Sequence, residues 1–220
     1  MTRNLFTLPK LTLASLLLST ASAFAQFGTL PKAVPSTASA TTTAVASTST
    51  AADSAAASLD QAVAANAKGD KAATVSALNA GVAAAEAQAA TSKGDFKDKL
   101  MSQASNLKNL IPGVASGAVS GNILTKAVSL VKMALGANQI SNLLGGGGSL
   151  LSSAGALTGG LNLLKGGLPS LGGQATSTGG SLISNALSGV SKLGGIGGAA
   201  AEPAVKQQLG GVLNFAKGIL

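Results

Sequence analysis

The side chains that most often carry enzyme chemistry are missing from this sequence. The 220-residue chain has no His, Cys, Trp or Tyr. Without His and Cys there can be no zinc finger, no haem or iron–sulfur ligation, no disulfide and no His-based triad. The few acidic residues form no recognisable pair. We therefore predict no catalytic residue, no metal ligand and no cofactor-binding residue.

Serine and lysine are the remaining source of nucleophilic chemistry. A Lys one helical turn after a Ser can activate the hydroxyl group, as in penicillin-recognising enzymes. Two such elements occur, Ser129-x-x-Lys132 and Ser105-x-x-Lys108, and Ser120-x-Asn122 matches a second element of those enzymes, Ser-x-Asn. No Lys-Thr-Gly follows them, and no strand pattern is present that could hold one. Such matches are common in a chain rich in Ser and Lys, so we predict that the protein is not an enzyme.

The first 25 residues have the pattern of a signal peptide. Arg3 and Lys10 form a positive start, and Leu11–Leu18 is a short apolar segment. Ala23 and Ala25 are the small residues that a signal peptidase recognises, which predicts cleavage before Gln26. The apolar segment is too short to cross a bilayer. The sequence therefore predicts an exported bacterial protein, periplasmic or extracellular.

Residues 26–52 are rich in Ser, Thr and Ala, with two prolines and almost no charge. Such a segment buries too little apolar surface to offset its conformational entropy. We predict that it is a disordered tether.

Residues 53–111 form a predicted Ala-rich helical unit of three helices. Two similar segments, Ala67–Lys71 and Ser92–Phe96, each contain Lys-Gly-Asp. In each, Gly69 or Gly94 is expected to end one helix in the left-handed conformation, and Asp70 or Asp95 to cap the next. The spacing predicts an apolar face on each of two helices. On the second helix the face contains Val75, Leu78, Val82, Ala85 and Ala89, and on the third it contains Phe96, Leu100, Leu107 and Ile111. Pro112 and Gly113 are expected to end the third helix.

Residues 112–220 form a predicted Gly-rich, Lys-bearing helical region. This half holds most of the 29 glycines, mainly as pairs between short Leu, Ile and Val segments. The spacing predicts helices over 114–135, 149–165 and 181–193, and a last helix that begins at Pro203. The last helix has an apolar face of Val205, Leu209, Val212, Ala216 and Ile219. In the first, the expected apolar face contains Ile123, Ala127, Leu130, Val131 and Ala134. Gly113, Gly117 and Gly121 form a small-residue stripe that could allow close helix packing.

The fold class that follows is all-α. It consists of an N-terminal three-helix unit followed by Gly-punctuated amphipathic helices, after the Ser/Thr/Ala-rich tether. No alternating β-branched segments indicate strands. No 18-residue window is predominantly apolar, so we expect no transmembrane helix.

The charge is positive and uneven. The formal net charge is +8, and residues 100–220 hold seven Lys but one acid, Glu202. The dispersed lysines and the lack of aromatic residues argue against nucleic acid as a partner. Weak binding to an anionic membrane or cell-wall surface is the more reasonable expectation.

Two functions are compatible with this sequence. The first is an exported non-catalytic protein of the bacterial envelope or exterior, with a structural or interaction role through amphipathic helices that contact a protein partner or a second copy. The alternative is a membrane-active protein, toxin-like or pore-forming, whose cationic Gly/Leu-rich helices bind bilayers.

Overall fold

The structure, a computed structural model, describes residues 51–195 and 198–220. The predicted signal peptide, and all of the predicted tether except its last two residues, lie outside the described residues. Within these two ranges the chain forms seven α-helices, one short 3-10 turn and no strand. The all-α prediction is confirmed.

The helices follow one another with short connections. They are α1 (Ala51–Ala67), α2 (Lys71–Thr91), α3 (Asp95–Ser116), α4 (Gly121–Gly145), α5 (Ala154–Gly167), α6 (Gly173–Leu193) and α7 (Gly198–Ile219), with the 3-10 turn at Leu168–Ser170 between α5 and α6. α1 includes Ala51 and Ala52, which the sequence assigned to the tether.

The first four helices form an up-down-up-down bundle. α1 packs on α2, α2 on α3 and α3 on α4, and α4 closes the bundle by packing on α1. The bundle core contains small Ala side chains together with larger residues such as Leu59, Leu78, Leu100, Leu107 and Leu135, each fully buried. The predicted three-helix unit therefore gains α4 as a fourth member.

The last three helices build a second core on the far half of α4. α5 packs on α4, α6 on α5 and α7 on α6. Met133, Ala137 and Ile140 of α4 are buried in this second core. α4 therefore contributes to both cores, and its segment from Met133 to Ile140 is buried on every side.

The first Lys-Gly-Asp segment has the predicted turn structure. Gly69 takes a positive φ of 76°, and the amide of Asp70 bonds back to the carbonyl of Ala65 at 3.0 Å. The Asp70 carboxylate accepts a hydrogen bond from the amide of Ala73 at 2.9 Å and caps α2. Both predicted roles are confirmed.

The second Lys-Gly-Asp segment forms a different turn. α2 ends at Ser92, where the backbone becomes extended, and Gly94 with φ 83° is the residue that precedes α3. Asp95 is the first residue of α3, and its carboxylate binds the ammonium group of Lys217. The predictions that Gly94 ends α2 and that Asp95 caps α3 are both wrong, because α2 ends before Gly94 and Gly94 itself occupies the capping position in front of Asp95.

α3 continues past Pro112, contrary to the prediction that it ends there. It ends one turn later at Gly117, which takes φ 83° and donates its amide to the carbonyls of Gly113 and Val114. Pro112 is exposed, so the carbonyl that loses its helical partner faces solvent. Val114 is buried in the bundle core, and this contact favours the additional turn.

The predicted boundary of the next helix is wrong, and its predicted apolar face is only partly correct. α4 begins at Gly121, and Val131 and Ala134 of the predicted face are buried while Ala127 packs against the core. Leu124 and Val128 are buried as well, whereas Ile123 is 51% exposed. The three glycines of the predicted stripe fall in α3, in the turn and at the start of α4, so they share no helix face.

Most glycines of the C-terminal half lie inside helices, although the sequence placed them between segments. Some of them permit close helix contacts. A Cβ atom at Gly136 would lie 2.5 Å from the carbonyl oxygen of Gly160, and one at Gly167 would lie 2.3 Å from Met133. These glycines let the backbones of α4 and α5 approach closely.

The last three helices keep their predicted positions but differ in their ends. α6 begins at Gly173, eight residues before the predicted start, and α7 begins at Gly198, which places Pro203 inside the helix. The predicted apolar face of α7 is confirmed, since Val205, Leu209, Val212 and Ala216 are buried.

Across the described ranges, no helix combines the length and the hydropathy that crossing a membrane requires.

Candidate functional site

The better Ser-x-x-Lys element lies on α4, with its two side chains engaged elsewhere. Ser129 is only 5% exposed, and its hydroxyl group lies 2.6 Å from that of Ser170. The ammonium group of Lys132 lies 2.7 and 2.8 Å from the two carboxylate oxygens of Asp60 on α1. In this arrangement Lys132 ties α4 to α1.

The other elements are separate from this one. Lys108 pairs with Glu86 of α2 at 3.2 Å, and Ser105 is exposed on α3. Ser120 precedes the first residue of α4, about 13 Å along the helix axis from Ser129. The fold therefore does not gather the three elements into one site.

An open groove lies where the α2–α3 turn meets the C-terminal end of α4. Its volume is about 560 Å³. The lining is polar or backbone, made of Thr91, Lys93, Gly94, Ser141, Asn142, Gly145 and Gly146. A Cβ atom at Gly94 or Gly145 would meet nothing within 4 Å, so bare main chain borders the groove at both residues.

A second depression of about 420 Å³ continues this groove towards α7. It shares Gly94 and Ser141 with the first, and it adds the Asp95–Lys217 pair, Phe96, Gly210, Leu213 and Asn214. We call the two together the polar groove. The hydrogen bond and the positive charge of Lys217 lower the pKa of Asp95, so this carboxyl group is ionised at neutral pH.

Two helix ends border the polar groove and add partial charges of opposite sign. The amide of Lys97 bonds to the carbonyl of Gly94 at 3.1 Å. Gly94 provides no side chain to cap the amides of Asp95 and Phe96, the first two of α3. These amides and Lys93 favour a negatively charged or carbonyl group. The last carbonyls of α4, at Gly145, favour a hydrogen-bond donor.

A buried polar network lies beside the groove wall. The Ser92 hydroxyl group donates to the carbonyl of Gln88 at 2.6 Å, and it accepts hydrogen bonds from the amides of Asn138 at 2.6 Å and Asn142 at 3.3 Å. Asn138 is fully buried, and its side-chain oxygen has no partner. The network therefore links Asn142 in the groove wall to a buried amide with an unsatisfied acceptor.

Gln139 is a second buried amide on α4. It is 7% exposed, and neither its oxygen nor its nitrogen has a partner. A Cβ atom built on Gly159 of α5 would lie 3.8 Å from this nitrogen and 3.6 Å from a carboxylate oxygen of Asp53. The Gln139 side chain thus lies among α4, α5 and the first turn of α1.

Neither the polar groove nor this network was predicted from the sequence. The signal that could have found the network is Asn138-Gln139 within an otherwise apolar segment of α4, because buried amides are rare without a partner.

The described ranges contain no cluster of three or more acidic residues able to share a metal ion. A comparison of the chain with protein families, curated proteins and solved structures finds no match.

Proposed function

We propose that this chain is an exported, non-catalytic protein of the bacterial envelope or exterior, whose polar groove binds a carboxylate-bearing cell-wall polymer. The export proposal is supported by the positive start, short apolar segment and Ala-x-Ala end of residues 1–25. The observation that carries the binding proposal is the polar groove itself.

The groove is a better binding surface than the apolar helix faces. Those faces form the two cores, as the burial of Leu78, Leu107, Leu157 and Leu209 indicates. Since they are covered within the chain, these faces are not free to bind a partner, whereas the groove is open.

The absence of catalysis is supported by how the lysines are used. Lys132 and Lys108, which would activate the two serines, each pair with a carboxylate from another helix. These pairings direct the two ammonium groups towards neighbouring helices, away from the serines that they would have to activate.

The ligand chemistry follows from the charges in the groove. Lys93 and Lys217 outnumber the single carboxylate of Asp95. Ser141, Asn142 and Asn214 add neutral hydrogen-bonding groups of the kind that bind hydroxyl and amide groups. A polymer that carries carboxylates among hydroxyl and amide groups matches this set.

Binding to insoluble cell-wall fragments tests the proposal. We expect Lys93→Glu to weaken binding about tenfold, because it removes a charge-assisted hydrogen bond in the groove. Lys165→Glu is the matched control, since Lys165 is exposed on α5 outside the groove and the change in net charge is the same. Equal weakening in both variants would show that net charge alone drives binding.

Export is tested separately. Expression of the full chain in a bacterium, followed by mass spectrometry of the secreted or periplasmic protein, is expected to show an N-terminus at Gln26. An intact N-terminus on a protein that stays in the cytoplasm would overturn the export proposal.

A further inference from the structure

The two depressions of the polar groove differ in the charges of their linings. Among the described residues that line the first, Lys93 alone is charged. In the second, the charges of Asp95 and Lys217 offset each other because the two groups are paired. A carboxylate on a ligand therefore has its most favourable position beside Lys93, and the second depression suits a neutral part of the ligand.

The second depression contains a small apolar patch. Phe96 is 5% exposed, and Leu213 is half-buried against the second core. Because little of either side chain reaches the surface of the groove, the patch fits a methyl group better than a large apolar side chain. Asn214 beside it can bond to the N–H and C=O groups of a peptide bond.

One face of α7 sets the length of the second depression. Its residues Gly210, Leu213, Asn214 and Lys217 have the i, i+3, i+4 and i+7 spacing of a single helix face. They span about 10 Å along the helix axis. An extended peptide advances about 3.3–3.6 Å per residue, so about three residues match this length.

Gly210 leaves room on this face. A Cβ atom built at Gly210 would meet nothing within 4 Å, and this open space belongs to the second depression. A Cβ atom at the next residue, Gly211, would also meet nothing, but Gly211 does not line the groove. The two neighbouring glycines therefore differ in whether a side chain added there would occupy the groove.

We propose that the polar groove binds the free carboxyl end of a short cell-wall peptide with small side chains. The terminal carboxylate bonds to Lys93, the peptide passes Ser141 where the two depressions meet, and a methyl group contacts Leu213. This inference rests on the proposed function, because the groove is the same, and it names the peptide part of the wall as the ligand. A chain of uronic acids also carries carboxylates, but it would place hydroxyl groups against the apolar patch.

Competition in the cell-wall binding assay separates these two carboxylate sources on the unmodified chain. Acetylated trialanine with a free carboxyl group, in the L and in the D configuration, is added to the chain bound to cell-wall fragments. We expect at least one of the two forms to release the chain. The corresponding trialanine amide should compete about tenfold less well, because it lacks the charge that Lys93 binds. Acetylated trileucine should also compete less well, because its side chains are too large for the patch.

The outcomes distinguish this inference from the proposed function. Release by trigalacturonic acid, but by neither form of trialanine, would overturn the peptide inference and leave cell-wall binding in place. Equal competition by the amide would contradict the position of the carboxylate, and equal competition by trileucine would contradict the preference for small side chains. If the unmodified chain does not bind cell-wall fragments at all, the proposed function itself is wrong.

Gly210→Leu tests the position of the peptide along α7, because the new side chain would fill the second depression from a Cβ that meets no other atom. Gly211→Leu is the matched control, since it adds the same side chain at the next residue, outside the groove. Titration calorimetry with acetylated trialanine should show about tenfold weaker binding to Gly210→Leu and unchanged binding to Gly211→Leu. Equal affinities would refute the path along α7. Circular dichroism checks that both variants fold, and the competition experiments do not depend on either of them.

Discussion

The carboxylate of Asp70 bonds to the amide of Ala73, whereas that of Asp95 is turned to Lys217 on another helix. Local turn chemistry therefore decides the first contact and the packing of α7 decides the second. The two tripeptides are identical in sequence. A residue-level pattern can predict a cap, but it cannot predict that α3 begins at Asp95 itself, with Gly94 in the capping position.

Replacement of these two acids is expected to give unequal results. Asp70→Ala removes a helix cap and should lower the free energy of unfolding by about 1 kcal/mol. Asp95→Ala removes an exposed ion pair and should lower the free energy of unfolding less, because solvent screens such surface pairs. Urea denaturation of both variants measures the difference, and a larger loss for Asp95→Ala would contradict this assignment.

The buried amide of Asn138 leads to a second prediction. Ser92→Ala deprives this amide of its hydrogen-bond acceptor and should cost about 1–3 kcal/mol of stability. Asn138→Leu removes the unsatisfied oxygen as well, and should cost less than Ser92→Ala or be neutral. Thermal denaturation compares the two variants. A greater loss for Asn138→Leu would mean that the network is fully satisfied in solution.

At the scale of elements, the backbones of α4 and α5 pack closely together at positions where both helices have glycines. Gly136→Ala would place a methyl group 2.5 Å from the backbone oxygen of Gly160, an atom that cannot move without shifting α5. We expect it to lower the free energy of unfolding by about 1–3 kcal/mol. Gly145→Ala is the control, since its Cβ meets open space at the end of α4. Chemical denaturation that finds equal stabilities would refute the close contact.

The predictability of the elements depended on how many of their faces are buried. α2, α3 and α7 each bury one face, so the spacing of Leu78 and Val82, or of Leu209 and Val212, predicted that face correctly. α4 is buried on every side from Met133 to Ile140 because it serves two cores, and no single periodic face exists to be recognised. Pro112 misled the prediction of the end of α3, since a burial gain at Val114 outweighs one lost hydrogen bond.

The polar groove could not be predicted for a related reason. Its walls come from four helices that are far apart in sequence, and several of its lining groups are glycines whose role is to leave main chain exposed. The sequence showed Lys93 and Gly94 only as parts of a turn. Their position opposite Ser141 and Asn142 follows from the packing of α4 on α3.

At the scale of the whole molecule, two carboxylates with lowered pKa join α7 to other parts of the chain. The hydrogen bond and charge of Lys217 lower the pKa of Asp95. The hydrogen bond of Lys206 is the main cause for Glu202, with smaller contributions from Leu150 and Ser149. A pKa lower in the folded state than in the unfolded state adds stability above the unfolded value, and this stability is lost as the pH falls.

We therefore expect acid to loosen α7. As the pH falls from the unfolded pKa values, near 4, through the lower folded values, both carboxyl groups become protonated and the urea midpoint should fall. In the double variant Asp95→Asn with Glu202→Gln, the urea midpoint at pH 6 should be lower than that of the unmodified chain. Between pH 6 and pH 3, the midpoint of the variant should change less than that of the unmodified chain. Parallel changes in the two proteins would assign the acid sensitivity to other groups.

The order of packing has a consequence for the rate of folding. Every helix packs on the one that precedes it, and the contact of α4 with α1 is the main one that joins helices distant in sequence. Chains with such local contacts fold within about microseconds to milliseconds, because few long loops must close first. The contacts among α1–α4 can therefore form as soon as the chain is complete to Gly145, without waiting for α5–α7.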